Sequence, residues 1–486
     1  MQNLVHADNS ARAAVESRAP RRRLSIEGYS RAKDQISVSF RVDELRFTTS
    51  YWYGGLDLFA LEARYGLPFM EKVYFHIAAF EANKLVSLRP ETFDLGPFSH
   101  LHTEAFERLW RTVFRKVWAQ WRYENGLPDY HGPAFIGNPS ASTPPAVEVN
   151  YGPCEVLSFC GGGKDSLVAM KLLERAGVPF ASYAYSHSLY GSAAHQHELI
   201  EGLLGHVAAS CHHRHWVYDD FMDSPVVELH TEYGVKTILA AETPSSVFGV
   251  IPVILQHGYR HIVLAHERSA DVGNMTWEQT GEEINHQWGK SLEAELLLDD
   301  YIKRELIKNV SYFSILKPVY DVLIFNLLAR DPGAVPHTHS CNVRKPWCGR
   351  CPKCAYVWLN YMAYLPTEMV NGMFGQQNLF DADENHLWFR QMLGLEAHTP
   401  FECIGQIQEA RLAFALCRSK GLGGRAMDVF TSEVPGLELE STLDSYLSVE
   451  GQLRTPPPDI FDAVLPQMLE AAEAARSYIK KTLSHE

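Results

Sequence analysis

The sequence predicts an α/β protein: a doubly wound parallel sheet, preceded by an α+β region, carrying a cysteine knuckle and followed by mostly helical chain. Three observations carry that prediction. Strand-like and helix-like segments alternate through residues 151–330. One of those strands is uniformly apolar and runs into three consecutive glycines and then a helix. From Ile36 the apolar residues alternate with polar ones, the period of a half-buried strand.

Taken in order, residues 1–35 read as a disordered leader of Ala, Ser, Pro and a short basic run at Arg21–Arg23. Residues 36–145 read as an α+β domain. Ile36, Val38, Phe40 and Val42 alternate, then helical patterns cover Phe69–Leu88 and Glu104–Tyr123. The polar, Pro-rich stretch Gly137–Pro145 is the expected boundary. Residues 150–365 form the parallel-sheet domain. Strand Val156–Cys160 meets the glycines, and helix Ser166–Arg175 stops at Gly177 and Pro179. Strand Phe180–Tyr185, helix Ala193–Ala208 and strand Trp216–Tyr218 follow, then a helix opened by Thr243-Pro244-Ser245 and strand His261–Ala265. Residues 366–486 read as mostly helical, including Gln408–Cys417 and Ile460–Leu483.

Composition narrows the function. The chain has 486 residues and a formal net charge of −14, which argues against a general binder of nucleic acid or of anionic membrane surfaces. No apolar stretch approaches the roughly 20 residues that span a bilayer. Four of the nine cysteines crowd into one loop, the usage of a reducing cytoplasm rather than of a secreted disulfide framework.

The glycine run is Cys160-Gly161-Gly162-Gly163-Lys164-Asp165-Ser166. Glycines let backbone approach phosphate oxygens, and the helix that follows offers free N–H groups and a positive dipole end. Lys164 adds a charge, and Asp165 is suited to hold Mg²⁺ on the phosphates. A glycine-rich turn with Asp165 as helix cap is the purely structural alternative. The Walker spacing is absent.

Cys341-x6-Cys348-x2-Cys351-x2-Cys354 offers four thiolates in one short loop, the donor set of a structural Zn²⁺ site with no open position. Arg344, Lys345, Arg350 and Lys353 are placed to offset its negative charge. Unliganded core cysteines and a redox pair are the alternatives.

The segment after strand His261–Ala265 falls at a strand carboxyl end, where doubly wound sheets bind ligands. It carries His266, Glu267, Arg268, Asn274, His286 and Lys290. By type and position His266, Glu267, His286 and Lys290 are candidate acids and bases, with Cys160 beside the glycines a further one. Arg268 and Asn274 join Gly161–Ser166 as candidate nucleotide-binding residues.

The motif Gly161-Gly162-Gly163-Lys164-Asp165-Ser166 resembles the PP-loop of the N-type ATP pyrophosphatases, a HUP-like fold, with Gly161 where Ser is usual. The knuckle is similar to that of 7-cyano-7-deazaguanine synthases, where it is structural. These motifs, with Glu267-Arg268-Ser269-Ala270-x-x-Gly273-Asn274 and Asn285-His286-Gln287-x-x-Lys290-Ser291, resemble the UDP-N-acetylmuramoyl-L-alanyl-L-glutamate epimerase (MurL) family. That resemblance implies ATP, Mg²⁺ and structural Zn²⁺. It implies adenylation of the terminal L-Glu of UDP-MurNAc-L-Ala-L-Glu, release of AMP and pyrophosphate, inversion to D-Glu, and a functional link to the ligase that adds L-Glu. A two-thiol proton transfer is not expected, because most of the clustered cysteines are assigned to zinc. Two other readings stay open: another acyl-adenylating enzyme, such as a ligase or amidase, and a non-catalytic zinc-stabilised nucleotide-binding module.

Overall fold

Strand burial begins at Leu24, ahead of Ile36 where the apolar alternation predicts a strand. In the computed structural model, which describes residues 22–233, 236, 242–452 and 455–484, β1 spans Arg23–Arg31. This corrects the expected leader 1–35. Leu24 and Ile26 lie opposite Val42 and Phe40 of β2 (Gln35–Val42), and all four enter the core. Residues 1–21 of that leader lie outside the described residues. β3 (Leu45–Tyr53) pairs antiparallel with β2 and buries Phe47, Tyr51 and Tyr53 on one face, as a period of two requires. Short strands β4 (Thr92–Asp94) and β5 (Ala134–Phe135) extend this sheet in parallel beyond β1. Helices α1 (Leu67–Glu81), α2 (Glu104–Val117) and α3 (Ala119–Asn125) belong to this half. The helix expected over Phe69–Leu88 continues past Glu81 as a 3₁₀ turn, Ala82–Leu88.

The parallel half follows. β6 (Val156–Cys160) leads through the glycines to α4 (Lys164–Arg175), then β7 (Phe180–Ala184), β8 (His212–Asp219) and β9 (His261–Leu264). A small hairpin, β10 (Met275–Trp277) and β11 (Glu282–Ile284), precedes α5 (Leu292–Glu305), β12 (Ser311–Ser314) and α6 (Asp321–Leu328). The strand order is β12-β9-β6-β7-β8, all neighbours parallel. Winding therefore runs outward in both directions from β6 and β9, and the crevice of an open α/β sheet lies outside the carboxyl ends at that switch.

The two halves are not separate sheets. β8 pairs antiparallel with β3, from Thr49 opposite Asp219 to Tyr53 opposite His215, so ten strands form one sheet. An unpaired β8 would present a row of free N–H and C=O groups, and β3 covers that edge.

Alternation through β6 divides the core. Val156 and Cys160 face an apolar cluster shared with α4, α6 and the C-terminal helices α7 (Pro352–Tyr364), α8 (Ile407–Ser419) and α9 (Pro458–Leu483). Leu157 and Phe159 face a second cluster built with α1, α2 and the N-terminal strands. Helices cover both faces, which is what a mostly parallel sheet needs. Among the described residues no helix is long and apolar enough to cross a membrane.

Candidate active site

The glycine loop leaves β6 at the switch point and enters α4 through Gly163, which caps the helix with no side-chain hydrogen bond. Asp165 is therefore not the cap. The first-turn N–H groups keep no side-chain acceptor, which suits an anion. Gly162 has φ +84°, and a Cβ there would lie 2.0 Å from His339 Nε2, so backbone and space both demand glycine. The His339 N–H donates to the Gly162 carbonyl at 2.8 Å, laying residues 339–340 over the loop. A Cβ on Gly163 would meet Ser340 Oγ at 2.9 Å, so a hydroxyl stands close to the loop although Gly161 supplies none. Around Gly161 nothing lies within 4 Å of a built Cβ.

A cleft of about 580 Å³ opens here. It brings together seven of the residues singled out from the sequence: Gly161, Gly163, Asp165, Ser166, His266, His286 and Lys290. The Ser166 hydroxyl donates to the Gly163 carbonyl at 2.9 Å. Asp165 is held below its usual range: burial pushes it up, but the ammonium groups of Lys164, Lys353 and Lys290 together outweigh burial. Burial, reinforced by Lys290 and Lys317, holds the His266 imidazole well below its ordinary value, so it is neutral at pH 7.

Six others lie elsewhere. Lys164, expected on phosphate, is 1% exposed and turns inward, its Nζ 2.5 Å from both Asp165 Oδ1 and Asp321 Oδ1. It ties the loop to α6 instead of reaching into the cleft. Cys160 points into the core beneath the loop, and burial pushes its thiol up to about 11, which removes it as a base. Gly162 lies under His339. Glu267 is buried, and burial, then Asp165 and Asp321, raise its carboxyl. The Arg268 guanidinium stacks 5.0 Å from the Tyr320 ring centroid rather than lining the cleft. Asn274 is a tether: its Nδ2 donates to Thr399 Oγ1 and Pro400 O at 2.9 Å each, and its Oδ1 accepts the His286 N–H at 2.9 Å.

That tether joins two segments whose side chains meet. Cys403, which no motif in the sequence marks, lines the cleft with His286 and Lys290. The sulfur, a His286 ring nitrogen and a Glu402 carboxylate oxygen lie within 4.8 Å of one another. Burial raises the Cys403 thiol, but the Lys290 ammonium and the His286 hydrogen bond overcome it and bring it down to about 7. His286 is raised in turn, Cys403 and Glu402 outweighing burial. Cys403 and Glu267 likewise hold the Lys290 charge on against burial. The N-terminal half completes this wall. Gln120 of α3 donates through Nε2 to Glu124 Oε1 at 2.8 Å, leaving its Oε1 to accept from His286 Nδ1 at 2.5 Å. That fixes the other ring nitrogen on the Cys403 side. Nothing around Cys403 in sequence announces it; residues 120, 286 and 403 meet only through packing.

The four knuckle cysteines converge, their sulfurs all within 4.8 Å of one another. Cys341–Cys351 and Cys348–Cys354 are each 3.8 Å. A tetrahedron with Zn–S of about 2.3 Å has S···S edges of about 3.8 Å, so the set fits Zn²⁺. The backbone N–H groups of Val343 and Arg344 donate to Cys341 Sγ at 3.3 Å, and that of Cys354 to Cys351 Sγ at 3.4 Å, as thiolate ligands require. Two of the lysines expected to neutralise the knuckle serve the cleft. Lys353 donates to the Cys403 carbonyl, and Lys345 lies 5.0 Å from the Tyr190 ring centroid.

A family model for the MurL N-terminal domain matches residues 245–315, and one for the MurL C-terminal domain matches residues 337–432. The first span holds His266, His286 and Lys290; the second holds His339, the four knuckle cysteines and Cys403. Curated relatives carry the name UDP-N-acetyl-alpha-D-muramoyl-L-alanyl-L-glutamate epimerase. That of a Micromonospora species is 30% identical over 322 residues, covering 64% of this chain and 68% of its own length. The Salinispora tropica protein is 29% identical over 312 residues, covering 63% and 64%. The Xanthomonas oryzae pv. oryzae protein is 28% identical over 364 residues, covering 72% and 76%.

Proposed function

The chain belongs to the UDP-N-acetyl-alpha-D-muramoyl-L-alanyl-L-glutamate epimerase (MurL) family, and from that premise we propose that it inverts the terminal L-Glu of UDP-MurNAc-L-Ala-L-Glu to D-Glu at the expense of ATP. One observation carries the reading beyond the family name. A single cleft joins a loop suited to phosphate with a wall suited to moving a proton.

Chemistry requires both halves. The α-proton beside a free carboxylate is very weakly acidic, because its removal puts a second negative charge next to the first. Adenylating the carboxylate removes that charge, and each pKa unit gained lowers the deprotonation step by about 1.4 kcal/mol. The first-turn N–H groups of α4, with Ser340 beside them, would receive phosphate oxygens, and Asp165 would hold Mg²⁺. The metal supplies charge neutralisation on the phosphates. Lys290 and Lys353 bring positive charge to the cleft, where the substrate is anionic. A base then removes the α-proton, a donor on the other face replaces it, and water releases AMP. Zn²⁺ on the four cysteines would be structural, anchoring the segment that carries His339 and Ser340 and the helix whose Lys353 holds the Cys403 carbonyl. A UDP-linked substrate favours a cytoplasmic reaction, following the ligase that adds L-Glu.

The test is to incubate the protein with ATP, Mg²⁺ and UDP-MurNAc-L-Ala-L-Glu in deuterated water. AMP, pyrophosphate, D-Glu and deuterium at the α-carbon are expected. AMP release without deuterium uptake would refute the epimerase and favour another acyl-adenylating reaction. No turnover would point to a binding module.

A further inference from the structure

The reaction needs a base in the cleft, and the residues lining it narrow the choice. His266 lines it as a neutral imidazole, but burial, then Lys290 and Lys317, hold its conjugate acid well below the ordinary value, which makes it a weak base. Lys290 is held as an ammonium and has no lone pair to offer. His286 has one ring nitrogen on Gln120 and the other turned to Cys403. Asp165 belongs to the phosphate end, paired with Lys164. Glu267 is buried and does not line the cleft. Cys403 is half-buried, lines the cleft and meets both His286 and Lys290. Beside this group, buried Gln287 also lines the cleft. Its Nε2 donates to the Ile404 carbonyl at 2.8 Å, while its Oε1 has no partner among the described residues. A buried acceptor without a donor belongs where a ligand N–H or O–H arrives.

We infer that Cys403 Sγ removes the α-proton of the activated glutamyl residue on one face, with His286 and Lys290 as its positioning residues and Gln287 Oε1 as acceptor for the substrate's peptide N–H. This deepens, and rests on, the epimerase reading above. The thiolate lone pair forms the S–H bond. The C–H electron pair moves into the enolate, leaving negative charge on the acyl oxygen. The carbon takes a proton on its other face from a solvent-exchanging donor, and the Cys403 thiol returns its proton to solvent. No net proton or electron is consumed. His286 Nε2 and the Lys290 ammonium keep the sulfur deprotonated between turnovers, as paired cations do for other reactive thiols. The Asn274 tether sets their spacing by holding the His286 backbone and the Thr399–Pro400 segment together.

The experiment separates the two half-reactions in the full-length protein. Substrate-dependent exchange of pyrophosphate into ATP reports activation; deuterium uptake at the α-carbon reports proton transfer. Cys403→Ala and Cys403→Ser are expected to keep pyrophosphate exchange within about threefold and to lose deuterium uptake by at least about 100-fold, the usual contribution of a general base. Uptake at the unmodified rate in either variant, or joint loss of both half-reactions, overturns the proposal. An unmodified protein without pyrophosphate exchange would instead sink the activation reading. Iodoacetamide on the unmodified protein gives a route that needs no refolding of a variant. Carbamidomethylation of Cys403, located by peptide mapping, is expected to track loss of deuterium uptake. Full uptake with Cys403 modified overturns the proposal. Lys290→Met is expected to raise the pH midpoint of that alkylation; an unmoved midpoint overturns the role given to Lys290.

Discussion

Replacing Asp321 with Asn should weaken the anchor beneath the glycine loop. Lys164 is 1% exposed and Asp321 2%, with Nζ and Oδ1 2.5 Å apart, whereas Asp165 is 25% exposed. At an effective dielectric of about 20 the direct attraction across that distance is about 7 kcal/mol, most of it offset by desolvation of two buried ions. Removing one partner of a buried pair leaves an uncompensated charge and costs about 3–5 kcal/mol. Asp165 remains as a counter-ion, so the low end, about 3 kcal/mol, is expected. Asp321 Oδ2 also accepts the Tyr356 hydroxyl at 3.0 Å, and Asn can satisfy one of these donors but not both as an anion would. With an unfolding entropy of about 2.1 cal/mol/K per residue over 486 residues, that loss lowers a cooperative melting point by about 3 °C. The paired change Lys164→Met with Asp321→Leu removes both buried charges and should recover part of that loss, the remainder being the about 1–3 kcal/mol that the buried Tyr356 hydroxyl costs without its acceptor. Thermal melting followed by circular dichroism reads both. A single variant that melts unchanged, or a double variant no better than the single, would refute a charged, buried Lys164–Asp321 pair.

Asp165→Ala is expected to abolish AMP formation while the fold persists, because Lys164 keeps Asp321; AMP release at the unmodified rate would remove Asp165 from the phosphate end. Gly162→Ala meets both φ +84° and the His339 ring, a strain of about 1–2 kcal/mol before His339 moves. It should cut AMP formation at least tenfold, whereas Gly161→Ser, with open space around it, should not; the reverse ranking contradicts the loop geometry. Elemental analysis should find one zinc per chain, and Cys351→Ser should lower both occupancy and melting temperature; a zinc-free protein of equal stability would contradict the knuckle. The pH profile follows from the sign of the Cys403 shift. Burial and Glu402 raise its thiol, Lys290 and His286 bring it down to about 7 against them, and the deprotonated form is the base. Deuterium uptake should fall about tenfold per unit well below pH 7 and level off above about pH 8. A rate that rises as pH falls from 8 to 6 contradicts it.

Short-range patterns were legible in the residues alone. Val156–Cys160 reads as a strand because it is a continuous apolar run, and its bounds in the structure are the same. The glycines read as a turn into a helix because Gly162 needs a backbone that other residues resist, and α4 starts two residues before the expected Ser166. The four cysteines read as one site because fourteen residues of chain cannot carry them far apart, and their sulfurs do converge. Each of these is decided within one element and its turn.

What packing decides was not legible. Lys164 had the right neighbours for a phosphate ligand, yet its direction depends on Asp321, 157 residues away, which offers a buried charge. Arg268 and Asn274 sit on the right loop, but Tyr320 and the Thr399–Pro400 segment claim their side chains. Strand β1 was hidden in a leader-like composition, since two alternating apolar residues become a strand only when β2 lies beside them. Cys403 shows this most. Its chemistry comes from His286 and Lys290, more than a hundred residues earlier, and from Gln120 in a half of the chain expected to form a separate domain. A thiol's acidity depends on the charges around it, and only the tertiary structure puts those charges there.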